Sequence, residues 1–168
     1  MDLRVLGCHG GETPRHRTTA FLIDDRLAVD AGCLTSQLDL SDQVRIETVL
    51  VSHSHMDHVR DLATIADNRA QLSAPPLTVA ATRATIQALK DHFFNDRLWP
   101  DFTVIPSVQE PTIVWQEIPL ETPTMVLDYE ITAVAVNHTI DSAGFVIADA
   151  QGAIGFSGDT GPTSRIWE

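Results

Sequence analysis

The sequence predicts a mixed α/β fold of the α+β kind, with β structure opening the chain and helices inserted afterwards. Three observations carry this. Short apolar runs bounded by turn residues fill the stretch before Asp30; two segments between Val59 and Phe94 place apolar residues at helical spacing; and the last third returns to strand-like runs punctuated by Gly, Asn, Asp and Pro.

In order, Leu3 to Leu6, Thr19 to Ile23 and Leu27 to Val29 read as strands, and Asp24-Asp25 marks a turn between the last two, so the start is antiparallel. Gly7-Cys8-His9-Gly10-Gly11-Glu12-Thr13-Pro14 is too rich in glycine for regular structure and flexible enough to approach a ligand. Glu47 to Ser52 is a β run that leads into His53-Ser54-His55-Met56-Asp57-His58. A helix should follow at once, because Val59, Leu62, Ala63, Ile65 and Ala66 recur at helical spacing as far as Arg69. Leu77 to Ala80 reads as a strand and Arg83 to Phe94 as an amphipathic helix, with Ile86, Leu89 and Phe93 on one face. Phe102 to Pro119 is β-rich and proline-punctuated, and Tyr129 to Val136 is a better strand, ending at Asn137-His138-Thr139. Gly144 to Ala148 and Ala153 to Phe156 flank Asp149-Ala150-Gln151-Gly152 as a hairpin. After Ser157-Gly158-Asp159-Thr160-Gly161-Pro162, Thr163 or Ser164 resembles a helix N-cap, and the sequence ends within a turn of it.

A length of 168 residues with 43% hydrophobic content suits one core, so residues 1–168 are expected to form a single domain. No apolar run approaches the roughly 20 residues that cross a bilayer, and Met1-Asp2-Leu3-Arg4 lacks a signal-peptide pattern. A cytoplasmic protein without a membrane partner is the expectation. Eleven Lys and Arg against 23 Asp and Glu give a net charge of −12, which argues against a nucleic-acid polymer as partner. A small phosphate ester stays open, because bound divalent cations can dominate the field within a site. Cys8 and Cys33 are expected to be free thiols.

The sharpest chemical signal is His53 to His58, an H-x-H-x-D-H pattern between a strand and a helix. In extended backbone, residues two apart point the same way, so His53 and His55 can grip one cation, while the turn into the helix re-aims Asp57 and His58 toward a second position. A surface histidine cluster is the plain alternative, but three His and one Asp at alternating spacing favour metal. His138 at a strand end and Asp159 in a Gly-Asp-Thr-Gly turn would alone be ordinary structural residues; beside the first cluster they become candidate ligands.

These residues resemble the metallo-β-lactamase fold hydrolases, on Val29-Asp30-Ala31-Gly32, His53 to His58, His138 and Ser157-Gly158-Asp159-Thr160. The resemblance implies an αββα sandwich of two sheets with helices outside and a two-metal site along one edge. It implies His53, His55 and His138 on one metal, Asp57 and His58 on the other, and Asp159 bridging both beside a shared water, with Asp30 steadying the histidine loop from behind. Asp57 is also placed to handle a proton from that water. The ions implied are divalent, with zinc favoured by the donors and manganese or iron tolerated. The family takes a further histidine from a later strand, and none follows His138 here, so the sequence reads as the pattern truncated at its C-terminus.

Within the superfamily the likeness runs toward class II cyclic-nucleotide phosphodiesterases, on Gly7 to Gly11, Asn137-His138-Thr139 with Ser142 and Gly144, and Ser157 to Thr163. His9 stands where a small serine is expected, and Asp61 where a small residue is usual. The implied substrate is a small phosphodiester such as a 3′,5′-cyclic nucleotide. Another hydrolase of the fold (thioester, lactone or RNA-processing) and a non-catalytic metal-binding or interaction module are the competing readings. The incomplete pattern also predicts exposed apolar surface and self-association, for instance as a homodimer. Light scattering on the purified chain checks this, and a well-behaved monomer would contradict it.

Overall fold

The computed structural model describes residues 1 to 167. Strands β1 (Leu3–Gly7), β2 (Ala20–Ile23) and β3 (Leu27–Val29) pair antiparallel, as the opening runs predict. Asp24 and Asp25 turn between β2 and β3 with φ of 49° and 56°, a left-handed conformation that aspartate tolerates better than most residues. Strands β4 (Thr48–Val51), β5 (Leu77–Ala81) and β6 (Ile113–Glu117) then extend the same sheet in parallel.

Parallel neighbours need crossovers, and the helices supply them. Helices α1 (Leu34–Gln37) and α2 (Leu40–Arg45) link β3 to β4, α3 (Met56–Val59) and α4 (Asp61–Gln71) link β4 to β5, and α5 (Arg83–His92) links β5 to β6. The first two are not foreseen from the sequence, because four and six residues are too short to show a period. The helix expected after the histidine motif begins inside it, at Met56, and is interrupted at Arg60. At the start of α5, the Thr82 hydroxyl accepts the Thr85 N–H at 3.4 Å. Of the β-rich reading over Phe102 to Pro119, only β6 is strand. The residues before it form turns in which Pro106 and Pro111 have no N–H to give a ladder.

Strands β7 (Thr124–Val126), β8 (Tyr129–Ala135), β9 (Ala143–Ala148) and β10 (Ala153–Phe156) build a four-stranded antiparallel sheet in the order β10-β9-β8-β7. The β9–β10 hairpin closes as predicted, with Asp149 Oδ1 accepting the N–H groups of Gln151 and Gly152 at 2.7 and 3.0 Å. The two sheets pack face to face through Leu27, Val29 and Leu50 on one side and Ile131, Ala133, Phe145 and Ile147 on the other. The opposite face of the six-stranded sheet buries Ala28, Val49 and Val79 against Leu62, Ile65, Ile86 and Leu89 of the helices. Every residue of β3 and β4 is therefore buried, as expected of strands covered on both faces.

The outer face of the four-stranded sheet carries the last described element. The helix expected from Thr163 or Ser164 is a single 3-10 turn, Arg165–Trp167, whose Arg165 N–H bonds the Thr163 hydroxyl at 3.3 Å. Ile166 from this turn occupies the space that a Cβ on Gly144 would need. The fourth layer of the expected αββα order is thus represented, among the described residues, by one turn. No helix of the described residues is long and apolar enough to cross a membrane.

What positions the site is a clamp after β3. Asp30 and Ala31 donate their N–H groups to the carbonyls of Leu50 at 2.8 Å and His58 at 2.7 Å, and Ala31 O accepts the Asp61 N–H at 2.9 Å. Gly32 completes it by pressing its α-carbon against the carbonyls of Asp57 and Thr19, leaving no room for a side chain. Gly32→Ala should lower unfolding free energy by about 2–3 kcal/mol, because the obstructing atoms are backbone and cannot swing aside. Urea denaturation measures this, and an unchanged midpoint would show that the clamp has slack.

Candidate metal centre

The site begins where β4 runs out. Ser52 and His53 follow Val51 and are fully buried, as are Asp30 and His58. Asp30 Oδ1 accepts the Ser52 N–H at 2.8 Å, and its Oδ2 accepts the Ser52 hydroxyl at 2.8 Å and His58 Nδ1–H at 2.7 Å. To reach all three donors, Asp30 adopts φ of 59°, a left-handed conformation costing a non-glycine residue about 1–2 kcal/mol. Ser52 Oγ also lies 3.0 Å from His53 Nδ1, which turns His53 Nε2 toward the opening of the site.

His55 is the last extended residue before α3, with φ of −66° and ψ of 146°. Its Nδ1 stands 3.1 Å from His53 Nε2 and 3.1 Å from His138 Nε2. His138 arrives from the loop after β8. That loop is held by the Gly161 N–H donating to Asn137 O at 2.6 Å and the Asn137 N–H donating to Thr160 Oγ1 at 3.2 Å. Three imidazole nitrogens, all within 4.8 Å of one another, can hold one cation.

A second set forms around His58. With Nδ1 committed to Asp30, Nε2 is buried and has no hydrogen-bond partner among the described residues. It faces Asp159 Oδ1 at 3.4 Å and Asp57 Oδ2 at 3.6 Å. Asp159 reaches this point because Gly158 turns with φ of 58° against the carbonyl of Ala143. His53, His58 and Asp159 form the second group of three that can hold a cation; Asp57 lies beside His58 but outside that group. A buried nitrogen left without a partner, aimed at two carboxylates, is the environment a divalent ion satisfies. The donor set therefore fits the implied metals.

Protonation follows the same geometry. Burial, with repulsion from the neighbouring imidazoles of His58, His55 and His138, pushes His53 down to about 3, so it is neutral and able to donate a lone pair at physiological pH. For His58 burial opposes the charged form, but the hydrogen bond and charge of Asp30, with Asp159 and Asp57 behind them, outweigh it and raise the imidazole. Burial raises Asp30 as well, against the pull of His58 and Ser52. Three donors converge on its oxygens, so Asp30 serves as the carboxylate that accepts from His58 Nδ1–H, which leaves Nε2 for a cation.

The β-lactamase superfamily domain family matches residues 25–168 of this sequence. The chain belongs to the metallo-β-lactamase superfamily. It is 34% identical over 58 residues to a probable 3′,5′-cyclic-nucleotide phosphodiesterase of Yersinia pestis, covering 34% of this chain and 16% of that protein. It is 32% identical over 76 residues to a 3′,5′-cyclic-nucleotide phosphodiesterase of Schizosaccharomyces pombe, covering 45% of this chain and 21% of that protein. Among solved structures, unliganded yeast PDE1 superposes with a TM-score of 0.80 at 18% identity, over 97% of this chain and 66% of that one, a likeness that shows the fold. The chain thus spans no more than about a fifth of the curated relatives in its matched segments and under two thirds of the solved neighbour.

Against the superfamily pattern, the fold brings all six expected residues to one place, with two differences from the expected grouping. His53 joins both groups of three, and Asp57 joins neither. His9 falls outside both groups: it is exposed and its ring lies tilted against His16 with ring centroids 4.3 Å apart. The unusual Asp61 is accounted for structurally. It accepts the N–H of Thr35 at 2.7 Å and its hydroxyl at 2.8 Å, in the first turn of α1. Cys8 is exposed and Cys33 buried, both free. Sequence reasoning missed Ser52, whose only signal is its place directly before the histidine motif. Ser52→Ala removes the hydroxyl between Asp30 and two imidazoles. It should cost about 1–3 kcal/mol in urea unfolding and about tenfold in zinc affinity measured against a chromophoric chelator. Wild-type affinity in the variant would reduce Ser52 to packing.

Proposed function

We propose that this chain is a metal-dependent phosphodiester hydrolase acting on a 3′,5′-cyclic nucleotide. The observation that carries the reading is the pair of donor groups sharing His53, with a buried and unpartnered His58 Nε2 between the carboxylates of Asp57 and Asp159. His53, His55 and His138 would hold one divalent ion; His58, Asp159 and Asp57 would hold the other. Imidazole with carboxylate suits zinc, with manganese or iron as alternatives. Such ions supply charge stabilisation at a phosphoryl oxygen and lower the pKa of water.

The residues' own tasks follow from their placement. Asp30 and Ser52 lock the rings of His58 and His53, so the donor atoms need little rearrangement on binding. Asp57, with its side chain 27% exposed, is the carboxylate positioned to take a proton from solvent entering the site. Both curated relatives carry a cyclic-nucleotide phosphodiesterase name, which favours that substrate over a thioester or lactone. A net charge of −12 weighs against RNA processing and against any polyanionic partner.

The test is a hydrolysis panel of 3′,5′-cyclic AMP, a chromogenic phosphodiester and a thioester, run beside metal analysis. Turnover of both diesters with two metals per chain is the expected result. Failure on all three with one metal per chain would instead favour a non-catalytic metal-binding module. His55→Ala and Asp57→Ala should each lose metal and activity while keeping the far-UV circular dichroism of the parent, and full metal content by elemental analysis in either variant would sink the assignment.

A further inference from the structure

A cavity of about 970 Å³ opens beside His138, between the start of α5, the segment after β6 and the loop joining β8 to β9. His138 lines this cavity and also contributes to the three-imidazole group, so the cavity adjoins the donor site at that residue. Ala84, Ile118, Pro119, Leu120 and Ile140 give it apolar walls, and Leu120 and Ile140 remain 44% and 37% exposed there. The volume falls within the roughly 300–1,000 Å³ of pockets that enclose drug-sized organic molecules.

Its charge decides which part of a substrate it can take. Arg83 donates to both oxygens of Glu117 at 3.1 Å, so the cation in the cavity wall is already neutralised. The remaining charged side chain is Asp141, which repels a phosphate. Gln87 stands one turn along α5 from Ala84. Its Nε2 is bonded to Asp91 Oδ1 at 2.8 Å, and a modest rotation frees an amide that offers both a donor and an acceptor. A side-chain amide of this kind pairs with the two-atom edge of adenine.

We propose that this cavity receives the uncharged nucleoside part of a phosphodiester whose phosphate lies at the donor groups, with Ala84, Leu120 and Ile140 as walls and Gln87 as the base-reading residue. The choice of a nucleoside and the position of the phosphate both rest on the phosphodiesterase reading. The cavity thereby discriminates among phosphodiesters by their organic remainder, while the histidines and carboxylates act on the portion common to all of them.

Adenosine, which has no phosphate, separates the two claims. Titrated into the purified chain with and without zinc, it should bind with a Kd of about 1 mM and shift the NMR signals of the Gln87 amide and the Ala84 and Ile140 methyls. Ala84→Trp should abolish those shifts. Gln87→Ala, an exposed helix position that carries the test if the tryptophan variant fails to fold, should weaken binding about fivefold. No shift at millimolar adenosine, shifts confined to another face, or variants that bind as the parent does would each overturn the proposal. A parent chain that hydrolyses cyclic AMP without binding adenosine here defeats the cavity inference alone. One that binds adenosine here but hydrolyses no diester defeats the function reading alone.

Discussion

The carboxylate of Asp30 is the contact on which the rest of the site depends. Burying an unpaired charge costs several kcal/mol. This one is kept only because the Ser52 amide, the Ser52 hydroxyl and the His58 ring all donate to it within 2.8 Å. The same three bonds do the positioning. They join the end of β3 to the end of β4, commit His58 Nδ1, and leave Nε2 as the atom that faces Asp57 and Asp159. An apolar residue at this position would leave all three donors without this acceptor and free the ring to turn. Stability and ligand geometry therefore share one residue, and the strained backbone at Asp30 persists because those bonds and the Leu50 carbonyl fix it from both sides.

The second sheet depends on the same region. The Ala143 N–H donates to Ser52 O at 3.0 Å, so the first residue of β9 is tied to the residue that steadies His53 and His58. Gly158 packs on Ala143, and the Asp159 loop is bonded in turn to the His138 loop through Asn137. Segments far apart in the chain thus meet at the seam of the sandwich. The groups brought together there are imidazoles and carboxylates, the donors that a divalent cation takes. The packing of two sheets holds them in place, and the interaction they are built for comes from outside the chain.

Much of this was legible in the sequence where pattern and chemistry are local. The opening strands, the α5 helix and the hairpin around Asp149 to Gly152 follow from alternation, helical spacing and turn residues within a few positions. The histidine motif was legible because three imidazoles and a carboxylate at alternating spacing favour metal over a surface histidine cluster. Features set by partners distant in sequence were not legible. Helices α1 and α2 and strand β7 are too short to show a period and exist because the sheet edges and crossovers need them. Ser52 is an unremarkable residue until the fold places Asp30 behind it. Asp61, which departs from the usual small residue, is explained only once Thr35 is seen to donate to it. The sharing of His53 between both groups likewise needs the ring positions, since spacing alone assigns His53 to one cation.

Charge gives the site an order of events. With His53 neutral and His58 already paired to Asp30, the exposed charge at the mouth is that of Asp57 and Asp159, whose side chains are 27% and 43% accessible. A phosphodiester approaching these side chains alone meets like charge, on a chain whose net charge is −12. Divalent ions reverse the sign locally while leaving the surface acidic. In the proposed reading the cations are therefore a condition for substrate to enter at all, as well as for its cleavage. In that reading a long polyanion is disfavoured, because its phosphates beyond the site meet a surface of net negative charge. Selection by substrate size then follows from electrostatics, without a steric gate.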